Sequence, residues 1–259
     1  MDIFQIFGTY QLAFLGVLVF FAGFVDSLAG GGGLITLPAY LSFGLDPALL
    51  LGTNKLSSSM GTFVAAWKYI RELRIGLFPL LPVFCTALIG SYAGAGMAML
   101  VNPDFIRYLL IIIIPVAAWF TLRGSNFGFS DESHTLPGRH LNFRLHLATL
   151  VISCYDGFMG PGTGTFFAIA LVSLCRYDML QATAKAKLFN LASNISALTA
   201  FLIGGRVNIK LGIVMGIISM AGNYTGSKAG IRRGVDLIKP VVGVVSILLL
   251  VKVIWGMVH

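Results

Sequence analysis

Long apolar runs separated by short polar turns occupy almost the whole chain. A helix needs about 20 apolar residues to cross a bilayer. Charged residues make up only 11% of the sequence, whereas soluble domains carry about 25%. The sequence therefore predicts an all-α, polytopic membrane protein with about 8–10 membrane segments. Ten runs carry this prediction: 10–29, 34–51, 56–70, 77–99, 104–122, 143–159, 164–175, 186–203, 210–230 and 237–258.

Two of these runs end in an aspartate that is followed by a glycine-rich break. Asp26 precedes Gly30-Gly-Gly-Gly33, and Asp156 precedes Gly160-Pro-Gly-Thr-Gly164. Lipid offers no hydrogen bonds, so a helix breaks inside the bilayer only where the break is buried in protein or faces water. Paired broken segments in the two halves of a hydrophobic chain indicate the binding site of a transporter.

The two halves of the chain resemble each other position by position. Lys55 matches Lys187, 132 positions later (187 − 55), and Arg74 matches Arg206 at the same offset. Internal repeats of this kind are typical of secondary transporters. We therefore divide the chain into a first membrane repeat (1–122), a linker loop (123–142) and a second membrane repeat (143–259). The segment Gly90-Ser-Tyr-Ala-Gly94 likewise matches Gly222-Asn-Tyr-Thr-Gly226.

Basic residues predict that the repeats are inverted. Lys and Arg are retained in cytoplasmic loops, and the loop rich in basic residues differs between the halves. If both rich loops are cytoplasmic, each repeat crosses the membrane five times, the linker is cytoplasmic and both termini lie outside. A parallel arrangement would place one rich loop outside. The loop rich in basic residues in the first half contains Lys68, Arg71 and Arg74, and its counterpart in the second half contains only Arg206 and Lys210. The rich loop of the second half contains Lys228, Arg232, Arg233 and Lys239, and its counterpart in the first half contains only Arg107.

The glycines of the two breaks are candidate anion-binding residues. A helix that restarts after a break presents free N–H groups and the positive end of its dipole. Tight helix packing through small residues is the alternative; four consecutive glycines exceed what packing requires. The candidates are Gly30, Gly31, Gly32 and Gly33 in the first half and Gly160, Gly162, Thr163 and Gly164 in the second.

Each half also places a lysine at the head of a polar helix face. Lys55 follows Asn54, and Lys187 precedes Asn190 and Asn194 on one helical face. Such a face must meet protein or water. The lysines either supply positive charge to an anion or snorkel to the membrane surface. The matched Tyr92 and Tyr224 are further candidates to line the same cavity.

The two aspartates have two interpretations that the sequence leaves open. A carboxylate near the bilayer centre is costly, on the order of 3 kcal/mol, so Asp26 and Asp156 are candidate proton-coupling residues. Desolvation favours proton exchange at such a group. Alternatively, each caps the helix that follows its break.

Several classes of function are excluded. No basic run is interleaved with exposed aromatics, so nucleic-acid binding is not expected. The histidines have no ligand-like helical spacing and the three cysteines lie in apolar context, so we expect no metal, no other cofactor and no catalytic residues. An anion channel with the same lining remains an alternative to a carrier, and an intramembrane enzyme is a weaker one. The oligomeric state is left open.

The chain resembles the TauE/SafE family of membrane permeases, also called the sulfite exporter family. The motifs are Gly23-Phe-Val-Asp26, Ala29 to Gly33, Pro38, Gly52-Thr-Asn-Lys55, Gly160 to Gly164 and Ala186-Lys-Leu-Phe-Asn190. The resemblance implies a permease of the bacterial cytoplasmic membrane for a small anion such as sulfite, sulfoacetate or a related sulfonate. It also implies that the lining comprises Gly30 to Gly33, Asn54, Lys55, Gly160 to Gly164, Lys187 and Asn190.

Overall fold

The computed structural model describes residues 8–106, 108–109, 112–113 and 130–233. Predictions that concern Arg107, Lys239, most of 104–122, part of the linker and the segment 237–258 lie outside these residues. The described chain is helical, with no strand in these ranges. The helices used below are α1 (Thr9–Ala29), α2 (Gly32–Ser42), α3 (Pro47–Glu72), α4 (Leu81–Leu100), α5 (Gly138–Phe158), α6 (Thr163–Cys175), α7 (Met179–Ile203) and α8 (Ile209–Arg233).

The first break forms where the sequence predicts it. Helix α1 ends because Gly30 takes a left-handed conformation with φ of 78°, which glycine adopts without steric cost. Helix α2 then returns beside α1, since the rings of Phe14 and Phe43 are 6.0 Å apart. Its 11 residues extend about 16 Å, so α2 is too short to span the hydrocarbon core alone.

The interruption that the sequence shows within the predicted run 34–51, at Asp46-Pro47, is a turn between two helices, since α2 ends at Ser42 and α3 begins at Pro47. Gly44 turns the chain with φ of 83°. Asp46 then caps α3 by accepting a hydrogen bond from Ala48 N at 2.8 Å. The sequence left open whether this run crosses the membrane at a kink or re-enters, and the turn divides it into two helices.

The second break has the same construction. Gly160 and Gly162 have positive φ angles, 94° and 78°, between α5 and α6. Tyr155 OH donates to Pro161 O at 2.7 Å and ties the break to α5. Helix α5 begins at Gly138, ahead of the predicted start at 143.

Helices α3 and α7, which occupy matched positions in the two halves, pack antiparallel. Near the start of α3, Thr53 Oγ1 accepts from Asn208 N at 2.9 Å. Further along α3, Thr62 Oγ1 accepts from Asn194 Nδ2 at 3.5 Å. Residue numbers rise along α3 while those of the contacted residues fall, so the two helices run in opposite directions. Arg74 and Arg206, at the ends of α3 and α7, therefore lie at opposite ends of the bundle.

Matched glycines make the outer helix contacts. A Cβ atom on Gly94 of α4 would lie 2.0 Å from Cys154 O of α5, and one on Gly226 of α8 would lie 2.4 Å from Phe24 O of α1. The offsets are 132 (226 − 94) and 130 (154 − 24), as in the sequence. Both helix pairs therefore approach at a position where only a glycine fits.

Polarity is distributed as expected for a protein surrounded by lipid. Large apolar side chains such as Phe21, Ile89 and Ile203 are more than half exposed, whereas Thr53, Lys55 and other polar groups of α3 and α7 are buried. This is the reverse of a soluble protein. Within the described residues, three helical stretches are long and apolar enough to cross a membrane: Tyr10–Leu28, Phe78–Leu100 and Met179–Ile203.

The glycine contact between α4 and α5 predicts a stability difference between neighbouring substitutions. Gly94→Ala should destabilise the protein by about 1–3 kcal/mol, because the new methyl group overlaps Cys154 O. Gly96→Ala is the matched control on the same helix, because no atom lies within 4 Å of its Cβ position. Thermal unfolding in detergent should show a lower melting temperature for the first variant only. Equal melting temperatures would contradict the predicted contact.

Candidate functional site

The two glycine-rich breaks lie against each other, backbone to backbone. A Cβ atom built on Gly30 would lie 2.2 Å from the carbonyl carbon of Gly164, and one built on Gly164 would lie 2.5 Å from Gly30 Cα. The sequence suggested that these glycines let a ligand approach, but here each has the other break as its close neighbour. The breaks are closed against each other in this structure.

The remaining glycines of the first break surround this contact. Gly31 is buried and precedes α2. Gly32 N donates to Asp26 Oδ1 at 3.3 Å, so Asp26 caps α2 as one interpretation of the sequence held. A Cβ on Gly33 would lie 3.4 Å from Pro161 Cα, so Gly33 faces the second break.

The second break places its glycines beside charged side chains. A Cβ built on Gly160 would lie 3.2 Å from Lys55 Nζ and 3.1 Å from Asp156 Oδ1. Thr163 Oγ1 donates to Gly160 O at 2.8 Å, and Gly162 is buried. The break thus lines the space around an ion pair.

That first ion pair joins Lys55 of α3 to Asp156 of α5. Lys55 Nζ lies 2.7 Å from Asp156 Oδ2, and the two side chains are 3% and 2% exposed. Lys55 also donates to Asn194 Oδ1 at 3.0 Å, and Asp156 accepts a further hydrogen bond from Ser193 Oγ. Both charges are therefore removed from solvent and compensated by neighbours.

A second ion pair joins Lys187 of α7 to Asp26 of α1. Lys187 Nζ lies 3.0 Å from Asp26 Oδ2, and the two side chains are 1% and 15% exposed. Lys187 also donates to the backbone carbonyl of Asp26, which is at the last turn of α1. This lysine thus interacts with both the carboxylate and the helix end at the break.

The two ion pairs cross between the halves of the chain. Lys55 belongs to the first half and its partner Asp156 to the second, whereas Lys187 belongs to the second half and its partner Asp26 to the first. From the sequence, the lysines were interpreted either as anion ligands or as snorkelling residues, and the aspartates either as proton-coupling residues or as helix caps. The sequence did not pair the lysines with the aspartates. Two positive and two negative groups give the site a net charge of zero (2 − 2).

The amide groups complete the polar interior. Asn54 Oδ1 accepts from Thr36 Oγ1 at 2.5 Å, which links α3 to α2. Asn190 Oδ1 accepts from Asn194 Nδ2 at 3.3 Å, and Asn194 contacts Lys55 in turn. The amides therefore orient the site through short hydrogen-bond networks.

One contributor was missed in the sequence. Ser193 follows Asn190 by three positions on α7, a spacing that places both on one helical face. That spacing was the available signal. Its hydroxyl group contacts Asp156, a residue of another helix, and only helix packing brings the two together.

Two expectations about the polar face are wrong. Lys55 and Lys187 do not snorkel to a membrane surface, because their side chains are 3% and 1% exposed and are held by carboxylates. Tyr92 and Tyr224 do not line an internal cavity, because they are 50% and 46% exposed. Lys68 Nζ lies 4.8 Å from the centre of the Tyr224 ring, at the outer face of α3 and α8.

A separate crevice lies away from the ion pairs, at the end of the bundle where α3 begins and α7 ends. It is lined by residues that include Leu51, Met99, Phe201 and Arg206. No group of three or more His, Cys, Asp or Glu side chains suited to a metal ion occurs within the described ranges.

Paired broken helices, buried charges between them and a lipid-facing apolar exterior define a polytopic membrane protein of the transporter class. The sulfite exporter TauE/SafE family matches residues 15–253. The chain belongs to this family, as its motifs predicted.

Three relatives agree with this assignment. A probable membrane transporter protein of Sinorhizobium sp, ORF9, is 38% identical over 251 residues, which cover 96% of this chain and 95% of that protein. The probable membrane transporter protein YfcA of Escherichia coli K12 is 37% identical, over 93% and 90%. A Haemophilus influenzae relative with the same description is 34% identical, over 96% of each. No solved structure matches the chain. The prediction that the protein is a transporter and not an enzyme is confirmed, since the family and these relatives are transporters.

Proposed function

We propose that this transporter moves a small anion across the bacterial cytoplasmic membrane by secondary transport. The cargo is sulfite, a sulfonate such as sulfoacetate, or a related organic anion. The observation that carries this proposal is the pair of buried lysines at the helix breaks, each compensated by a carboxylate of the other half. The sulfite exporter description of the family supports a sulfur oxyanion.

Charge balance supports proton coupling at the aspartates. With both pairs formed, the site is neutral, so an arriving anion adds an uncompensated negative charge in a region of low dielectric. Protonation of Asp26 or Asp156 restores neutrality and releases a lysine to the anion. Cotransport of one proton with one monovalent anion is therefore the favoured stoichiometry.

The arrangement of the halves supports alternating access. The matched helices α3 and α7 run antiparallel, which is the relation expected for inverted repeats. Separation of the Gly30 and Gly164 contact by rocking of one half against the other would open the lysines to one side of the membrane. The glycine N–H groups and Asn54 and Asn190 would then complete the lining.

Ligand screening tests the proposed cargo. We expect sulfite, thiosulfate, a sulfonate or a small carboxylate to raise the melting temperature of the purified protein. The active compound should then drive flux into proteoliposomes that saturates and responds to a pH gradient. Unsaturated, ohmic current would favour the channel alternative. No stabilisation by any of these anions would contradict an anionic cargo.

Inverted repeats give a direct topological prediction. Single cysteines at the matched positions Arg74 and Arg206 should react with a membrane-impermeant thiol reagent from opposite sides, with Arg74 cytoplasmic and Arg206 outside. The positive-inside rule supplies the direction. Labelling of whole cells and of inside-out vesicles measures this, with each cysteine placed in a variant lacking Cys85, Cys154 and Cys175. Reaction of both positions from the same side would exclude the inverted arrangement.

A further inference from the structure

The two crossed ion pairs do not have the same surroundings. Asp156 accepts from Ser193 as well as from Lys55, and Lys55 donates to Asn194 as well. On the other side, Lys187 donates to the side chain and the backbone carbonyl of Asp26, and the Asp26 carboxylate accepts one longer backbone hydrogen bond, from Gly32 N at 3.3 Å. The first pair is therefore held by two additional polar side chains.

The difference is encoded in the sequence at matched positions. Ser193 corresponds to Gly61 (193 − 132), so the first half has no hydroxyl group at the place from which Ser193 contacts Asp156. Asn194 corresponds to Thr62 (194 − 132), whose shorter side chain replaces an amide. The asymmetry therefore does not depend on the conformation that the protein occupies.

Packing keeps Gly61 a glycine. A Cβ atom built there would lie 2.3 Å from Ser219 Oγ and 2.4 Å from Asn223 Nδ2, both on α8. A serine at this position would require the side chains of Ser219 and Asn223 to move. Packing against α8 thus disfavours a hydroxyl group at the position that matches Ser193.

Exposure differs in the same direction. The Asp26 side chain is 15% exposed and that of Asp156 is 2% exposed. A carboxylate inside a membrane protein faces water or a partner, not lipid. Asp26 is therefore the carboxylate that a proton from water reaches more readily.

We infer that the Lys187–Asp26 pair is the one that opens to bind the transported anion, while the Lys55–Asp156 pair, held by Ser193 and Asn194, stays closed as a fixed link between the halves. This rests on the proposed anionic cargo. In the opening step a hydronium ion gives its proton to the Asp26 carboxylate and leaves as water. Lys187 keeps its three protons and its charge and takes the anion as its new partner. Within the part of the chain that the structure describes, Lys55 and Tyr69 are the other titratable groups that interact with Asp26.

Carboxyl modification tests the difference without any cargo. The full-length protein in detergent is treated with a water-soluble carbodiimide and glycine ethyl ester, and modification at each aspartate is followed by peptide mass spectrometry. Asp26 should react at least about tenfold faster than Asp156, because a hydrogen bond to a charged group has roughly that effect on an equilibrium. Ser193→Ala should raise the modification rate at Asp156 and leave the modification rate at Asp26 unchanged. Equal rates, or faster reaction at Asp156, would overturn the inference.

Sulfite titration tests which lysine receives the anion. Two charge-neutral double variants are compared, Lys187→Met/Asp26→Asn and Lys55→Met/Asp156→Asn, neither of which leaves a buried charge unpaired. The loss of sulfite affinity, measured by thermal shift, should be at least about tenfold larger for the first. A larger loss for the second would overturn the inference. If sulfite does not stabilise the wild-type protein, the proposed cargo fails for this anion, and the carbodiimide rates still decide between the two pairs.

Discussion

Asp156→Asn is expected to destabilise the protein more than any other single change at the charged site. It leaves the Lys55 ammonium group buried without its counter-ion, and breaking a buried ion pair in this way costs about 3–5 kcal/mol. The pair has side chains that are 3% and 2% exposed, so little water is available to replace the carboxylate. Thermal unfolding of the purified protein in detergent measures the loss.

The double variant Lys55→Met/Asp156→Asn separates charge from packing. Because both charges are removed, it should recover most of the stability that the single variant loses. Glu72→Gln serves as a control, since it breaks the exposed Lys68–Glu72 pair, and such pairs contribute about 0–1 kcal/mol. If Asp156→Asn and Glu72→Gln unfold at the same temperature, the buried pair has been misassigned.

Gly30→Ala is expected to have the second large effect, on stability and on transport together. Its Cβ atom would lie 2.2 Å from the Gly164 carbonyl carbon, and its φ of 78° is unfavourable for alanine. Overpacking costs about 1–3 kcal/mol and a left-handed alanine about 1–2 kcal/mol. The total loss should therefore exceed about 2 kcal/mol, and flux should be lost because the two breaks no longer close.

Two further glycines separate these causes. Gly44→Ala carries the conformational cost alone, since its φ is 83° and no atom lies within 4 Å of its Cβ position. Gly164→Ala carries the contact with Gly30 without a positive φ. Among the three variants, Gly44→Ala should have the highest melting temperature, Gly164→Ala an intermediate one and Gly30→Ala the lowest. A Gly44 variant as unstable as the Gly30 variant would show that the contact between the breaks is unimportant.

Local patterns in the sequence predicted much of the architecture. The helices break at the glycines that follow Asp26 and Asp156. Glycine permits the turn, and lipid offers irregular backbone no hydrogen bonds, so such a break must be buried in protein or face water. The interruption at Asp46-Pro47 was recognised, but the sequence left open whether the run 34–51 crosses the membrane at a kink or re-enters, because that depends on packing against other helices. Arg74 and Arg206 match in sequence and lie at opposite ends of the bundle, because α3 and α7 run antiparallel.

The candidate residues Asn54, Lys55, Asp156, Lys187 and Asn190 are buried polar groups inside an apolar protein, but the sequence did not predict which of them contact each other. Lys55 and Lys187 were expected to be open to an anion or to reach the membrane surface. They are instead bound to carboxylates, in an interior where an unpaired charge is too costly. Tyr92 and Tyr224 match between the halves as well, yet they lie on the outer surface, because a repeat reproduces a position without specifying the side that it faces.

The amino-acid sequence by itself determined the membrane class, the family, the two breaks and the matched charges, because each of these follows from residues that are close along the chain or from a fixed offset. Tertiary structure alone decided which charge meets which. Lys187 and Asp26 are 161 positions apart, and they meet because the last turn of α1, at the first break, lies against α7. No periodicity along one helix specifies that geometry; it results from the packing of side chains on several helices at once.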